Sequence, residues 1–130
     1  MELLQEIQRH YPVDPERIYV TGQSMGGFGT WALLAGYPGY FAAGIPVCGG
    51  GSPGSALQLS STAIWAFHGS ADPIVPAHES RRMVAAIRKA GGRPRYTEYP
   101  RKMHKIWDSA YFEPGLMAWT FRQSRGHVSD

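Results

Sequence analysis

At 130 residues, 43% of them hydrophobic and with a net charge of +3, the chain has the length of one domain and can bury roughly two-thirds of its extended surface, so a single compact domain over residues 1–130 is expected. No apolar run approaches the ~18 residues of a membrane-spanning helix, and no membrane partner is expected. The one cysteine, Cys48, excludes an internal disulfide, and no cluster of His, Cys or carboxylate residues has metal-ligand spacing, so neither a metal nor another cofactor is expected.

The chain opens on ELLQEIQRHY, where Leu3, Leu4 and Ile7 recur at helical spacing; a helix is predicted over 2–11, ended by Pro12 and the turn-forming DPER. This charged start does not read as a signal peptide, and a cytoplasmic location is expected, or a secreted one if the chain is part of a longer precursor. RIYVT (17–21) reads as a short buried strand, and Met25 to about Tyr37 as a helix stopped by GYPGY. AAGIPVC (42–48) is a second strand and GGGSPGSALQLSS a loop. AIWAFH (63–68), an apolar run bounded by turn signals, is a third strand, and GSADPIVP a turn. An amphipathic helix is predicted over 77–90, with Met83, Val84, Ile87 and Ala90 inward and a glycine pair closing it. PRYTEY (94–99) is a fourth strand, and the loop PRKMHKIW leads to a last helix over about 114–124. Nine of the thirteen basic residues fall between Arg81 and Lys105. With no recognition motif and no interleaved aromatics they read as a solvated helix face and loop, and no nucleic-acid partner is expected.

Helices alternating with strands imply an α/β fold with a parallel sheet and right-handed crossovers. In such sheets function gathers at the carboxyl ends of the strands. Three chemically capable residues follow strand ends: Ser24 after the first, Asp72 after the third and His104 after the fourth.

The stretch VTGQSMGGFGTW contains G-x-S-x-G between a strand and a helix, the pattern of a nucleophile elbow. A serine there stands on a tight turn with strained backbone. Gly22 and Gly26 are read as relieving collisions across the turn, and Gly27 and Gly29 as letting the following helix press on the sheet. That helix would aim its N-terminal amides at Ser24, where negative charge is favoured. A plain glycine-rich helix start is the competing reading. A serine hydroxyl needs a base, and the base an orienting carboxylate. Asp72, in the turn HGSADPIVP, is the candidate acid, with Asp108 and Glu98 as competitors. Of the five histidines, His10 ends a helix, His78 starts one and His127 lies in the tail. His68 ends a buried strand and is expected to bond nearby backbone. His104 alone follows the last strand in an irregular loop.

The segments DPERIYVTGQSMGGFGTW, FAAGIPVCGGG, IWAFHGSADPIVP with ESRRMV, and YTEYPRKMHKIWDSAY together resemble the α/β-hydrolase family, in its branch of polyhydroxybutyrate depolymerases, feruloyl esterases and predicted peptidases. The resemblance runs from about residue 14 to 121. It implies the C-terminal half of that parallel-sheet fold, about four strands with flanking helices, and a serine esterase acting on carboxylic esters without a cofactor. Ser24 is then the nucleophile, His104 the base, Asp72 the orienting acid and the Met25 N–H an oxyanion donor. Two features depart from the family. Met103 stands where glycine usually precedes the histidine, and the strands that precede the elbow, with a loop supplying a second oxyanion amide, have no counterpart here. The nucleophile strand would lack a neighbour, so a homo-oligomer, a dimer, is expected. Phe28 and Trp107 are candidate substrate-pocket residues; Trp65 is read as core. A small serine peptidase or amidase, and a non-catalytic fragment that joins another subunit, stay open as alternatives.

Overall fold

The computed structural model describes residues 1–130. Helix α1 (Glu2–His10) leads to strand β1 (Tyr19–Gln23), then α2 (Met25–Gly36) and β2 (Ala43–Val47). A 3-10 turn over Pro53–Ser55 and the short α3 (Ala56–Leu59) connect to β3 (Ala63–Gly69). Helix α4 (His78–Lys89), β4 (Arg95–Tyr99), α5 (Trp107–Tyr111) and α6 (Leu116–Arg122) complete the chain. The four strands form one sheet in the order β1-β2-β3-β4, with every neighbouring pair parallel.

The pleat of β3 explains the layering, because successive side chains leave a strand on opposite faces. Ile64 and Ala66 meet Trp31 and Leu34 of α2 and Met83, Val84 and Ile87 of α4. Ala63, Trp65 and Phe67 meet Ile106, Ala110, Leu116 and Trp119 on the other side. Both β2 and β3 are buried along their whole length, as inner strands of a parallel sheet covered on both faces must be. Removing the Phe67 side chain alone from water is worth about 3 kcal/mol. Trp65 belongs to this core: it is 4% exposed, and its indole N–H donates to Thr97 Oγ1 at 2.9 Å. β1 differs. It hydrogen-bonds on one side only, to β2, and Thr21 and Gln23 are exposed.

Three expectations need correction. The first strand lies two residues later than predicted, because its bounds are set by pairing with β2, Tyr19 against Ala43 through Gln23 against Val47; pairing overrides the poor strand propensity of Gly22. The loop after β2 contains the 3-10 turn and α3, whose Ala56 and Leu59 are buried and seal the core under Ile64. The last helix, expected over about 114–124, runs over Leu116–Arg122, and a further helix, α5 (Trp107–Tyr111), precedes it where none was expected. Pro114 cannot continue α5, and Gly115, at φ 85°, takes the left-handed backbone that starts α6.

The register brings the carboxyl ends of all four strands to one edge: Gln23 pairs with Val47, Val47 with Phe67, and Gly69 with Tyr99. Ser24, Cys48, the turn at Asp72 and the loop bearing His104 all leave the sheet there.

Candidate active site

Ser24 is the residue between β1 and α2, and its backbone is in the left-handed region, φ 55° and ψ −115°. A non-glycine residue stays there only when its surroundings over-determine it. Two contacts do so. The Ser24 N–H donates to Val47 O at 2.9 Å and faces Cys48 Sγ at 3.3 Å. The Ser24 carbonyl accepts from the amides of Gly27 and Phe28 at 2.9 and 3.1 Å, starting α2. The amides of Met25 and Gly26 precede the first bonded amides of the helix and have no acceptor among its cap hydrogen bonds. They are the positive end of a twelve-residue helix.

The glycines divide into two pairs. A Cβ on Gly22 would lie 2.4 Å from Gly26 O, and one on Gly27 would lie 2.4 Å from Val47 O. Gly22 thus allows the turn, and Gly27 lets α2 rest on the end of β2, where Gly49 faces it. Gly26 and Gly29 were expected to share these tasks, but a Cβ on either would meet open space. Gly22 alone relieves the collision across the turn, and Gly29 lies on the exposed side of α2.

The structure brings Ser24, His104 and Asp72 together. His104 Nδ1 lies 2.7 Å from Asp72 Oδ2, and His104 Nε2 lies 2.8 Å from Ser24 Oγ. A carboxylate only accepts, so the ring proton is on Nδ1 and is donated to Asp72; Nε2 then accepts the Ser24 hydroxyl. Asp72 is 7% exposed. Its Oδ1 accepts the amides of Ile74 and Val75, each at 2.9 Å. Burial by itself would raise this carboxyl. The hydrogen bonds from His104, Val75 and Ile74 outweigh it and hold the group below the usual carboxylate range. The competing carboxylates are elsewhere. Glu98 is engaged by Arg81, at 2.7 and 2.6 Å, and by the Tyr96 hydroxyl. Asp108 sits in the first turn of α5. His10 and His78 are exposed on α1 and α4, and His127 forms an isolated bridge with Ser124.

A layer under the site was not anticipated in full. His68, fully buried, has Nε2 2.7 Å from Val75 O and 3.4 Å from Asp72 Oδ2, and Nδ1 2.7 Å from Ser80 Oγ. The expected backbone bond is therefore present, and two side chains join it. Since Val75 O only accepts, Nε2 carries the proton, and Ser80 donates its hydroxyl to Nδ1. The imidazole ties α4 to the turn that carries Asp72. Cys48, fully buried beneath Ser24, has its thiol pushed up by burial, with the Ser24 amide opposing.

Two cavities adjoin these elements. One of about 490 Å³ is walled by His104, its loop neighbours and Pro73 and Ile74. The other, of about 450 Å³, is lined by Phe28, Trp31, Met83 and the glycine run after β2. Phe28 borders the second cavity, which none of Ser24, Asp72 and His104 lines. Trp107, half-buried at the start of α5, borders neither.

Known proteins share this architecture. A solved thermostable esterase is 38% identical, with a TM-score of 0.93 over 95% of this chain and 35% of its own. The Pyrococcus horikoshii acylaminoacyl peptidase shares the fold at 17% identity and a TM-score of 0.83, over 98% of this chain and 27% of its own. Among curated proteins, poly(3-hydroxyalkanoate) depolymerase C of Paucimonas lemoignei is 39% identical over 49 residues, 38% of this chain and 12% of that protein. The chain thus spans about a third of the length of the esterase and about an eighth of that of the depolymerase. The family model for phospholipases and carboxylesterases matches residues 2–111, from α1 to the end of α5, and with the four-stranded parallel sheet this makes the chain a member of the phospholipase/carboxylesterase family of α/β hydrolases.

Proposed function

We propose that the chain carries the catalytic residues of a serine carboxylesterase, with Ser24 as nucleophile, His104 as base and Asp72 as orienting acid. The observation that carries this reading is the continuous set of hydrogen bonds from Asp72 through His104 to Ser24, at 2.7 and 2.8 Å. Ser24 Oγ attacks the ester carbonyl while His104 Nε2 takes its proton. Asp72, held ionised by three donors, His104 and the amides of Ile74 and Val75, stabilises the imidazolium that forms. The Met25 amide, unbonded at the start of α2, faces the developing oxyanion. His104 then gives its proton to the departing alcohol, and water repeats the sequence on the acyl-serine. Phe28, which borders a cavity along α2, is the candidate acyl-pocket residue.

The test is labelling with a fluorophosphonate probe and mass mapping of the adduct, beside turnover of a 4-nitrophenyl ester. An adduct on Ser24, lost in Ser24→Ala and His104→Ala, is expected. An adduct elsewhere, or ester turnover that survives Ser24→Ala, would overturn the reading.

A further inference from the structure

The basic run between Arg81 and Lys105 is not uniform in the fold. Arg81 is held by Glu98, the Arg95 guanidinium lies 3.8 Å over the Trp65 ring, and Arg88 donates to Pro94 O. Arg101, Lys102 and Lys105 form no ion pair. These three line the same cavity as His104, and no carboxylate lines it. The nearest acid of the site, Asp72, is spent on His104 and two amides.

The loop carrying them is fixed at its backbone. Arg101 is in the left-handed region, φ 62°, and its N–H donates to Ser70 Oγ at 2.7 Å. The Ala71 amide donates to Lys102 O at 2.9 Å. A Cβ on Gly69 would lie 2.3 Å from Met103 O and 2.4 Å from Lys102 O, so the loop rests directly on the end of β3. A strained, clamped backbone that presents three uncompensated cations beside the base is a costly arrangement for a mere surface loop.

The side of the reaction served by this cavity follows from the chemistry. The base returns its proton to the leaving oxygen, so the leaving group must come to His104. We propose that this cleft selects esters whose alcohol part carries a negatively charged group, a carboxylate being the simplest. The inference rests on the ester-hydrolase reading above. An open cleft lined by one sign of charge raises the local concentration of a counter-charged substrate by about 10-fold, and salt suppresses this.

The experiment compares 4-acetoxybenzoate with its methyl ester, each rate normalised to hydroxide-catalysed hydrolysis, so that acyl group and ring are constant. At about 0.01 M salt the ratio of kcat/KM, anionic over neutral, should be about ten or more, and it should fall toward one near 1 M. The variant Arg101→Gln/Lys102→Gln/Lys105→Gln should lose the ratio. A control with the same loss of charge away from the cleft, Arg82→Gln/Lys89→Gln/Arg93→Gln, should keep it. A ratio near one in the unmodified chain at low salt, or equal loss in both triple variants, would overturn the cleft while leaving ester hydrolysis standing. Failure to cleave either ester would overturn the ester-hydrolase reading and this inference with it. Should the cleft variant not fold by circular dichroism, the salt dependence of the unmodified chain decides alone.

Discussion

Replacing His68 by alanine removes the imidazole that joins α4 to the Asp72 turn. The side chain is fully buried and makes two hydrogen bonds of 2.7 Å. After its removal Val75 O loses this partner, and Ser80 keeps only a 3.4 Å approach to Gly49 O. Two buried polar groups left unsatisfied cost about 1–3 kcal/mol each, and the space left adds to that, so a loss of about 4 kcal/mol in stability is expected. The effect on turnover should be distinct. Asp72 keeps His104 and two amides, so its carboxylate stays, but its turn is free to shift. A misplacement of ~1 Å costs on the order of 10²-fold, and kcat should fall by roughly ten- to a hundredfold with KM little changed. His68→Gln offers an amide that can donate to Val75 O and should recover much of both losses. Ser80→Ala is the gentler perturbation should His68→Ala fold poorly. Urea unfolding and initial rates on a 4-nitrophenyl ester, well below the unfolding midpoint, make the test. Undiminished kcat in the folded protein, or no advantage of glutamine over alanine, would refute the reasoning.

Gly27→Ala should destabilise by about 1–3 kcal/mol and lower kcat, because the added methyl meets Val47 O at 2.4 Å and must push α2 off the sheet; Gly29→Ala, with open space, should stabilise by up to ~1 kcal/mol, and thermal unfolding of the pair reads the contrast. The Asp72 carboxyl is depressed in the folded chain, so the unfolded state binds more protons in acid and stability rises with pH there. Its contribution should be complete above about pH 4, the unfolded value, and lost as pH falls through the lower folded value; unfolding midpoints across this range should show a flatter acid limb for Asp72→Asn. The unpaired edge of β1 predicts pairing with a second copy, antiparallel across a two-fold axis. Light scattering should show a dimer that dissociates on dilution, and a monomer at every concentration tested would rule this out.

The parallel sheet was legible in the sequence because each apolar run ends at a strong punctuator: GYPGY after α2, the glycines after β2 and the glycine pair after α4. Ser24, Asp72 and His104 were legible because their chain order and their places after strands are local signals. What escaped was set by packing. The alternation that sends His68 to the face of Ile64 and Ala66 is visible, but nothing in the sequence pairs it with Ser80. Ser80 does lie in register with Met83, Val84 and Ile87, a polar side chain on an apolar face, and that was the available signal. The redundancy of Gly26 and Gly29 had no signal at all, since sequence records that a glycine is present and not what surrounds it. The strained backbones of Cys48 and Arg101 are equally silent, because both conformations are imposed by contacts distant in the chain. The division of the basic run into held and free cations likewise depended on which face each strand and loop presented.

The hydrogen bond from Ser24 to His104 spans 80 positions of the chain. The four strands stack in the order in which they are synthesised, so Ser24, after the first, is made well before His104, after the fourth. A nascent chain that has completed β1, α2 and β2 holds the serine without its base, and a serine alone is a feeble nucleophile. On the proposed esterase reading, reactivity arrives only when β4 has docked and the loop behind it has closed over the turn at Asp72. The topology is therefore its own safety catch during synthesis. It also makes esterase turnover, or capture of a phosphonate probe, a late clock for folding that reports the final docking event and is blind to everything before it.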